Sequence, residues 1–221
     1  MQNSAAKRNN KPRMPTGRSS SQGNPVHQIR IIGGQWKRTP LKVPDAEGLR
    51  PTPDRVRETV FNWLNHLLDG EWQNARCLDL FAGSGALGFE AASRGAASVT
   101  LVESNRAAVA QLEATKQKLG AAHVNIVCGD ALSTASQLTN RQLPEMQRFQ
   151  LIFLDPPFHQ GWLAKILPIC AQLLSEDGLV YVEAEHTLIG EQPPWLEGWE
   201  VMRADKAGMV FYHVLKSNKS A

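Results

Sequence analysis

The chain has few cysteines, no long apolar segment and no clustered histidines. Its three cysteines stand in separate apolar contexts at positions 77, 128 and 170, and none belongs to a C-x-x-C pair. This spacing indicates neither a zinc site nor a disulfide framework, and it favours a reducing compartment. No stretch approaches the roughly eighteen apolar residues of a membrane span, and the N-terminus lacks the apolar core of a secretion signal. We therefore expect a cytoplasmic protein that requires neither a metal nor a membrane.

Charged residues are plentiful but unevenly placed. Of the 24 lysines and arginines, nine precede Asp45 with no acidic residue among them, and the 15 that remain are outnumbered by 21 acidic residues. A basic N-terminal arm on a mildly acidic body predicts a polyanionic partner that approaches from one side. Residues 1–25 are rich in Ser, Asn, Gln, Pro and basic residues, and we expect them to form a disordered basic tail without sequence specificity of its own.

Residues 26–45 have the pattern of a small N-terminal β-hairpin. Isoleucines precede a Gly-Gly turn signal, and the segment carries Arg30, Lys37 and Arg38. These three cations are candidates for contact with the polyanionic partner.

A helix is expected next, with Thr52 as its N-cap and Pro53 at its first position. Arg55 and Arg57 lie near its start and off its apolar face. A cation at a helix N-terminus is mildly unfavourable against the helix dipole, so these arginines are candidates for ligand contact. Ordinary surface salt bridges are the commoner explanation for either residue alone.

A glycine-rich segment at residues 77–88 indicates a cofactor site. An apolar run ends in Asp79-Leu80-Phe81-Ala82-Gly83-Ser84-Gly85, and Gly88 completes a G-x-G-x-x-G pattern before a predicted helix. The missing Cβ atoms let a cofactor approach the backbone. Glu103 ends the next strand-like run, near the distance at which a carboxylate binds ribose hydroxyls. Both features suit a dinucleotide site and an S-adenosylmethionine site equally.

Two acidic residues favour S-adenosylmethionine. Asp79 stands where an acid can meet the ammonium group of that cofactor, whereas a pyrophosphate at the same place would be repelled. Asp130 follows a third strand-like run and is a candidate acceptor for an adenine amino group, with a solvated strand-end carboxylate as an equal alternative. Together with Glu103 and Asp155, these residues place a carboxylate at the end of four successive strands. Ligands of open α/β sheets bind at that edge.

The most informative segment is Asp155-Pro156-Pro157-Phe158, which follows an apolar run at 151–154. Two prolines cannot join a sheet ladder, so the strand must stop at Asp155. A carboxylate, the carbonyl of Pro156 and the ring of Phe158 then lie within one short turn. This set predicts recognition of a planar base by its exocyclic amino group, with two acceptors for the N–H groups and one ring for stacking. The alternative is an ordinary strand end with a core Phe.

The order of the predicted elements indicates the fold class. Strands and helices alternate from residue 77 to 183, and the last two strand-like runs are separated only by residues 204–208. So short a connection implies an antiparallel pair. We therefore expect an α/β Rossmann-like fold over residues 46–217, with a mostly parallel seven-stranded sheet and a C-terminal antiparallel hairpin. The chain of 221 residues, 42% of them apolar, suffices for one such domain.

The glycine loop and the Asp155–Phe158 segment together resemble the class I S-adenosylmethionine-dependent methyltransferases that act on exocyclic nitrogens. Residues 29–37 and 49–64 are similar to the bacterial 16S rRNA guanine-N2 methyltransferases that modify guanine-966, and the resemblance extends from about residue 28 to 216. It implies the same fold, S-adenosylmethionine as the cofactor, and 16S rRNA as the partner. The RNA is expected within an assembled or assembling small ribosomal subunit.

The predicted site residues fall into three groups. The catalytic group is Asp155, Pro156, Pro157 and Phe158. The cofactor group is Asp79, Phe81, Ala82, Gly83, Ser84 and Gly85 at the methionine part, Glu103 at the ribose, and Asp130 with Ala131 at the adenine. The RNA-binding group is Arg30, Lys37, Arg38, Arg50, Arg55 and Arg57, and no metal ligand is predicted.

Three alternatives stay open. A DNA adenine-N6 or cytosine-N4 methyltransferase would use the same catalytic logic, but no target-recognition insertion is evident. A protein methyltransferase acting on a glutamine amide would not explain the basic arm. A non-catalytic RNA-binding or assembly factor would have no need to keep both motifs intact.

Overall fold

The described residues form nine strands and five α-helices. The structure is a computed structural model that describes Met1 and residues 29–42, 53–190 and 193–218. The strands are β1 (Ile29–Arg30), β2 (Pro40–Leu41), β3 (Arg76–Asp79), β4 (Ser98–Glu103), β5 (Val124–Cys128), β6 (Phe149–Leu154), β7 (Leu174–Ala184), β8 (Trp199–Ala207) and β9 (Val210–Ser217). The helices are α1 (Asp54–Leu67), α2 (Ala86–Ser93), α3 (Arg106–Leu119), α4 (Ala131–Asn140) and α5 (Trp162–Leu173). Within these ranges no helix is both long and apolar enough to cross a membrane.

Seven of the strands form one sheet in the order β5-β4-β3-β6-β7-β9-β8. Strands β3 to β7 are parallel to one another, whereas β9 pairs antiparallel with both β7 and β8. Strands β1 and β2 form a separate antiparallel pair. The predicted fold class is confirmed, including the C-terminal antiparallel hairpin and the small N-terminal β-hairpin.

Helices cover both faces of this sheet. Neighbouring residues of a strand point to opposite faces, and accordingly Phe153 packs with residues of α1, α2 and α3 while Ile152 packs with residues of α4 and α5. Both side chains are fully buried. The strands read as almost continuous apolar runs because a parallel sheet is buried on both sides.

Several predicted boundaries differ from the structure. An Ala/Ser/Gln-rich segment without a predicted element forms α4, and β8 and β9 extend into their connection until only Gly208 and Met209 remain as a turn. Helix α1 begins at Asp54, directly after Pro53. Thr52 and Arg50 lie outside the described residues, as does the predicted tail apart from Met1.

The N-terminal hairpin is fastened to α2 by a buried carboxylate. Glu90 is fully buried and accepts hydrogen bonds from the main-chain N–H groups of Ile32 and Gly33, at 2.6 and 2.8 Å. Arg94 forms an ion pair with the same carboxylate at 2.8 Å. The backbone approaches closely at Gly34, which has a φ of +72° and where a Cβ atom would lie 1.9 Å from the Ser93 carbonyl oxygen. The hairpin is therefore part of the packed domain.

Candidate active site

The carboxyl ends of four neighbouring parallel strands bring the four predicted strand-end acids to one edge of the sheet. Asp79 at the end of β3 pairs with Phe153 of β6. Asp155 lies two residues after Phe153, so its side chain leaves the sheet on the same face as that of Asp79. Glu103 at the end of β4 lies opposite Cys128, the last residue of β5. Asp130 lies two residues past β5, which is the outermost strand at that side of the sheet. The sequence-based prediction of a shared edge is confirmed.

The glycine loop joins β3 to α2 in a conformation that needs its glycines. Gly83 and Gly85 have φ values of +52° and +78°, which side-chain-bearing residues rarely adopt. A Cβ atom on Gly88 would lie 2.1 Å from the side chain of Leu101. This third glycine therefore allows α2 to pack closely on the sheet. Within the loop Phe81 and Gly83 are half-buried, whereas Ala82, Ser84 and Gly85 are buried.

The Asp79 carboxyl is buried beneath this loop. It is 1% exposed and accepts a hydrogen bond from the Phe81 N–H at 3.3 Å. Burial raises its pKa to about 7, with the nearby Glu103 adding to the rise and the N–H groups of Phe81 and Gly88 opposing it. A cation placed beside this carboxylate would offset the cost of ionising it. The predicted contact with an ammonium group fits that requirement.

Glu103 and Asp130 organise the backbone around them. Glu103 accepts hydrogen bonds from the N–H of Gly83 at 2.8 Å and from the N–H of Asn105 at 2.7 Å, so it holds the glycine loop against β4. Asp130 is exposed and caps α4 by accepting from the Ser133 N–H at 2.8 Å. These structural roles were not foreseen from the sequence. The ribose and adenine contacts stay predictions.

The Asp155–Phe158 segment leaves the end of β6 as an extended arm. Pro156 is buried, Pro157 is exposed and the ring of Phe158 is half-buried. Burial raises the pKa of the Asp155 carboxyl well above its ordinary value, and the nearby carboxyls of Glu183 and Asp79 raise it further. Acidic groups therefore crowd together at the base of the arm.

The turn after the arm is held by two contacts with one carboxylate. His159 has a φ of +63° and an exposed side chain. Its Nδ1 lies 2.8 Å from a carboxylate oxygen of Glu185, and its main-chain N–H donates to the same carboxylate. Glu185 follows β7, so this contact ties the arm to the neighbouring strand.

A cavity of about 420 Å³ opens beside the arm. Its lining includes Pro156, Phe158, Trp162, Glu183, Leu188 and Trp195. A cavity of this size with apolar and aromatic walls and a few polar groups is typical of a small-molecule or single-base site. Sequence reasoning missed Glu183 as a site residue, although it ends an apolar strand as the four predicted acids do. Among the described residues, no group of His, Cys, Asp and Glu side chains is placed to hold a metal ion.

The predicted RNA-binding arginines near α1 divide into exposed and buried residues. Arg30 is 65% exposed and pairs with Asp54 at 2.8 Å, and Arg55 is exposed. Arg57 is fully buried, and its guanidinium donates to the Arg30 carbonyl at 2.9 Å and to Asp54 at 2.7 Å. The buried guanidinium joins α1 to the hairpin, so Arg57 lacks the exposure that the predicted RNA contact needs. Arg50 lies outside the described residues.

Lys37 and Arg38 are exposed but lie far from the glycine loop. The neighbouring N–H of Trp36 donates to the Ser93 hydroxyl at 2.8 Å, which places this loop at the C-terminal end of α2. An eight-residue helix is about 12 Å long, and the glycine loop lies at its other end. The structure therefore does not bring these two cations to the catalytic edge.

The tip of the β8–β9 hairpin, residues 205–211, carries a cation that the sequence analysis did not assign. Ala184 at the carboxyl end of β7 pairs with Phe211, so the tip projects beyond the edge that holds Asp155. Lys206 lies over the Phe211 ring, 4.7 Å from its centroid, and Met209 is 75% exposed. A cation beside an exposed apolar surface suits contact with nucleic acid.

Comparison with known proteins agrees with this arrangement. The family described as Conserved hypothetical protein 95 matches residues 29–216. Ribosomal RNA small subunit methyltransferase D from Escherichia coli K12 is 42% identical over 189 residues, which cover 85% of this chain and 89% of the relative. The Haemophilus influenzae protein of the same name is 35% identical over 88% of this chain and 96% of its own length. The solved structure of yhhF from Escherichia coli superposes with a TM-score of 0.70 at 39% identity, over 87% of this chain and 99% of that one.

Proposed function

The chain belongs to the ribosomal RNA small subunit methyltransferase D family, and we propose that it transfers a methyl group from S-adenosylmethionine to N2 of guanine-966 in 16S rRNA. The observation that carries the proposal is the position of the Asp155–Phe158 arm. It rises from the same sheet edge as the glycine loop, one strand away from the buried Asp79. A cofactor held by the loop would present its reactive end to the arm.

The chemistry requires a weak nucleophile to be oriented. The lone pair of the guanine 2-amino group is delocalised into the ring, so the nitrogen is poorly reactive. The Asp155 carboxylate and the Pro156 carbonyl each accept one N–H of this group, which directs the remaining lone pair away from the arm. These acceptors bind more strongly as positive charge develops on the nitrogen, and so they stabilise the transition state selectively.

Alignment of the reacting atoms supplies much of the rate enhancement. S-adenosylmethionine supplies an electrophilic methyl group on a sulfonium sulfur. The N2–CH₃ bond forms as the S–CH₃ bond breaks, and N2 then loses a proton to the Asp155 carboxylate or to water. Holding the two partners in line is worth roughly 7 kcal/mol or more in well-oriented reactions. Phe158 stacks on the guanine after it leaves its own helix or loop.

The cofactor is held by the strand ends. Asp79 and the backbone of residues 81–85 would hold its methionine part, Glu103 its ribose, and Asp130 with Ala131 its adenine. The acidic character of the edge favours the positive sulfonium. The buried Asp79, with a pKa raised to about 7, supports a cationic neighbour at this position.

The RNA approaches over the carboxyl edge of the sheet. Arg55 and Lys206 are exposed near this edge. Lys206 belongs to the β8–β9 tip that projects there, and Arg55 lies close enough to Tyr212 of β9 for its charge to lower the pKa of that hydroxyl. Arg30, Lys37 and Arg38 contact more distant phosphates. These contacts fit 16S rRNA in an assembled or assembling small subunit, and such a substrate agrees with the cytoplasmic location expected from the sequence.

Nucleoside analysis of rRNA tests the proposal. Cells that lack this protein should lose one N2-methylguanosine from 16S rRNA, which mass spectrometry of nuclease fragments assigns to its position. Expression of the wild-type chain should restore the modification, and expression of Asp155→Ala should not. An undiminished N2-methylguanosine, or label transferred to DNA or protein instead of rRNA by the purified enzyme, would contradict the proposal.

A further inference from the structure

The buried carboxylate of Glu183 stands beside the half-buried Asp155. Leu154 of β6 pairs with Val182 of β7 in parallel register, so Asp155 and Glu183 are lateral neighbours whose side chains leave the same face of the sheet. Glu183 is 4% exposed and lines the cavity beside Pro156 and Phe158. The influence of Glu183 on the pKa of Asp155 agrees with this proximity.

Glu183 is oriented by its neighbours on the sheet. The hydroxyl of the fully buried Tyr181 donates to Glu183 Oε1 at 2.9 Å. On the other side Glu183 pairs in register with Tyr212 of β9, whose hydroxyl donates to Asp205. A buried carboxylate is costly, and proteins keep such groups where they are hydrogen-bonded or used.

Two adjacent carboxylates match one nucleobase edge better than the others. Guanine presents N1–H and its 2-amino group side by side, which are two neighbouring donors. Adenine and cytosine present an unprotonated ring nitrogen beside their amino group, and this acceptor would face a carboxylate unfavourably. A pair of acceptors therefore distinguishes guanine from the targets of adenine-N6 and cytosine-N4 methyltransferases.

We propose that Glu183 accepts the N1–H of the target guanine while Asp155 and the Pro156 carbonyl accept its 2-amino group, so that Glu183 selects guanine. The inference rests on the proposed function and adds the group that recognises the base. Glu183 is a specificity-determining residue in this arrangement, and the Tyr181 hydroxyl is a positioning group for it.

Base analogues at the target position test this role in the wild-type protein. The substrate is 16S rRNA ligated from two pieces, with guanine, 2-aminopurine or N1-methylguanine at the target, and assembled into small-subunit particles. 2-Aminopurine keeps the amino group but has an acceptor at N1, and N1-methylguanine has no N1–H. The wild-type kcat/KM should be about 10- to 100-fold lower for 2-aminopurine than for guanine, and N1-methylguanine should be rejected. Efficient methylation of N1-methylguanine would overturn the inference, whether or not any variant folds.

The Glu183→Gln variant assigns the discrimination to one side chain. Its amide can donate to N1 of 2-aminopurine, so the preference for guanine over 2-aminopurine should fall by about 10- to 100-fold. Glu200→Gln, at an exposed carboxylate of β8 that does not line the cavity, is the matched control and should keep the wild-type preference. An equal loss of rate on both bases in Glu183→Gln, with an unchanged preference, would show that Glu183 acts only in packing and would overturn the inference.

The two proposals fail in different ways. If the wild-type protein leaves the guanine-bearing particle unmethylated, the proposed function is wrong. If it methylates guanine but the preference does not depend on Glu183, only the inference about base selection is wrong. Calorimetric binding of S-adenosylmethionine by each variant checks that its fold is intact.

Discussion

The buried carboxyl of Asp79 predicts that the ligand-free protein loses stability as the pH rises. Its pKa is about 7 in the fold against an ordinary value of 3.8, mainly because of burial. One pKa unit corresponds to about 1.4 kcal/mol, so the ionised carboxyl costs the fold about 4 kcal/mol above pH 7. The native state holds this proton more tightly than the unfolded chain does. The associated stability is therefore complete below about pH 4 and is lost by about pH 7.

The substitution Asp79→Asn removes this titration while keeping the shape of the side chain. Compared with wild type, the variant should gain about 3 kcal/mol in free energy of unfolding between pH 4.5 and pH 8. Urea denaturation at both pH values, without cofactor, measures this difference. Any constant effect of the amide on packing cancels between the two values. Asp130→Asn changes an exposed strand-end carboxyl and serves as the control, with the pH dependence of wild type expected.

The cofactor should reverse the advantage of the Asp79→Asn variant. An ionised Asp79 next to an ammonium group forms a charge-assisted contact, so S-adenosylmethionine should bind the variant about 10- to 100-fold more weakly at pH 8. Isothermal titration calorimetry provides the affinities. The electrostatic reasoning is refuted if wild type and variant show the same dependence of stability on pH. An unchanged cofactor affinity would remove Asp79 from the proposed cofactor contacts.

Other substitutions probe the arm, the hairpin and the RNA surface. Asp155→Ala should reduce methyl transfer by about 10²-fold or more, because an acceptor for the developing charge is lost, while S-adenosylmethionine affinity stays within about threefold. Radiolabel transfer measures the rate and calorimetry the affinity. Parallel losses of rate and affinity would argue for a cofactor role of Asp155. Gly34→Ala should lower the free energy of unfolding in urea by more than about 2 kcal/mol, because the new Cβ would meet the backbone of α2 1.9 Å away. Gly70→Ala, also at positive φ but with no atom within 4 Å of the new Cβ, should cost only about 1 kcal/mol, and equal losses would contradict the close approach. Lys206→Ala and Lys37→Ala should each lower the salt slope of RNA binding by about one, but only Lys206→Ala should slow transfer at saturating RNA. The same slowing in both would mean that Lys37 also reaches the target region.

Much of the fold could be predicted because parallel sheets leave a strong local pattern. Strand β4 ends at Glu103 as expected, and β6 ends at Leu154, directly before the Asp155 at which the two prolines were expected to stop it. Helix α4 was missed because its small and polar residues give little apolar periodicity. Only Ala131 and Ala135 of that helix are buried, and tertiary packing rather than its own sequence pattern identifies it.

Residue environments were harder to predict than elements. Arg57 lies off the apolar stripe of α1 and was therefore expected on the surface. The N-terminal hairpin, which is distant in sequence, covers Arg57, and the guanidinium of Arg57 donates a hydrogen bond to the Arg30 carbonyl of that hairpin. No local sequence pattern predicts that a residue is buried by a segment from elsewhere in the chain. For the same reason the sequence did not show that the loop with Lys37 and Arg38 packs at the C-terminal end of α2, away from the catalytic edge.

By itself the sequence determined where strands end and which functional side chains follow them. Prolines stop a strand wherever they occur, and glycines allow turns that other residues rarely adopt. Asp155-Pro156-Pro157-Phe158 and the loop of residues 79–85 carry that information locally. Which side chains face one another was decided only by tertiary structure. Glu183 stands beside Asp155 because β7 pairs with β6 in one particular register, and a shift of one residue would turn its carboxylate to the opposite face.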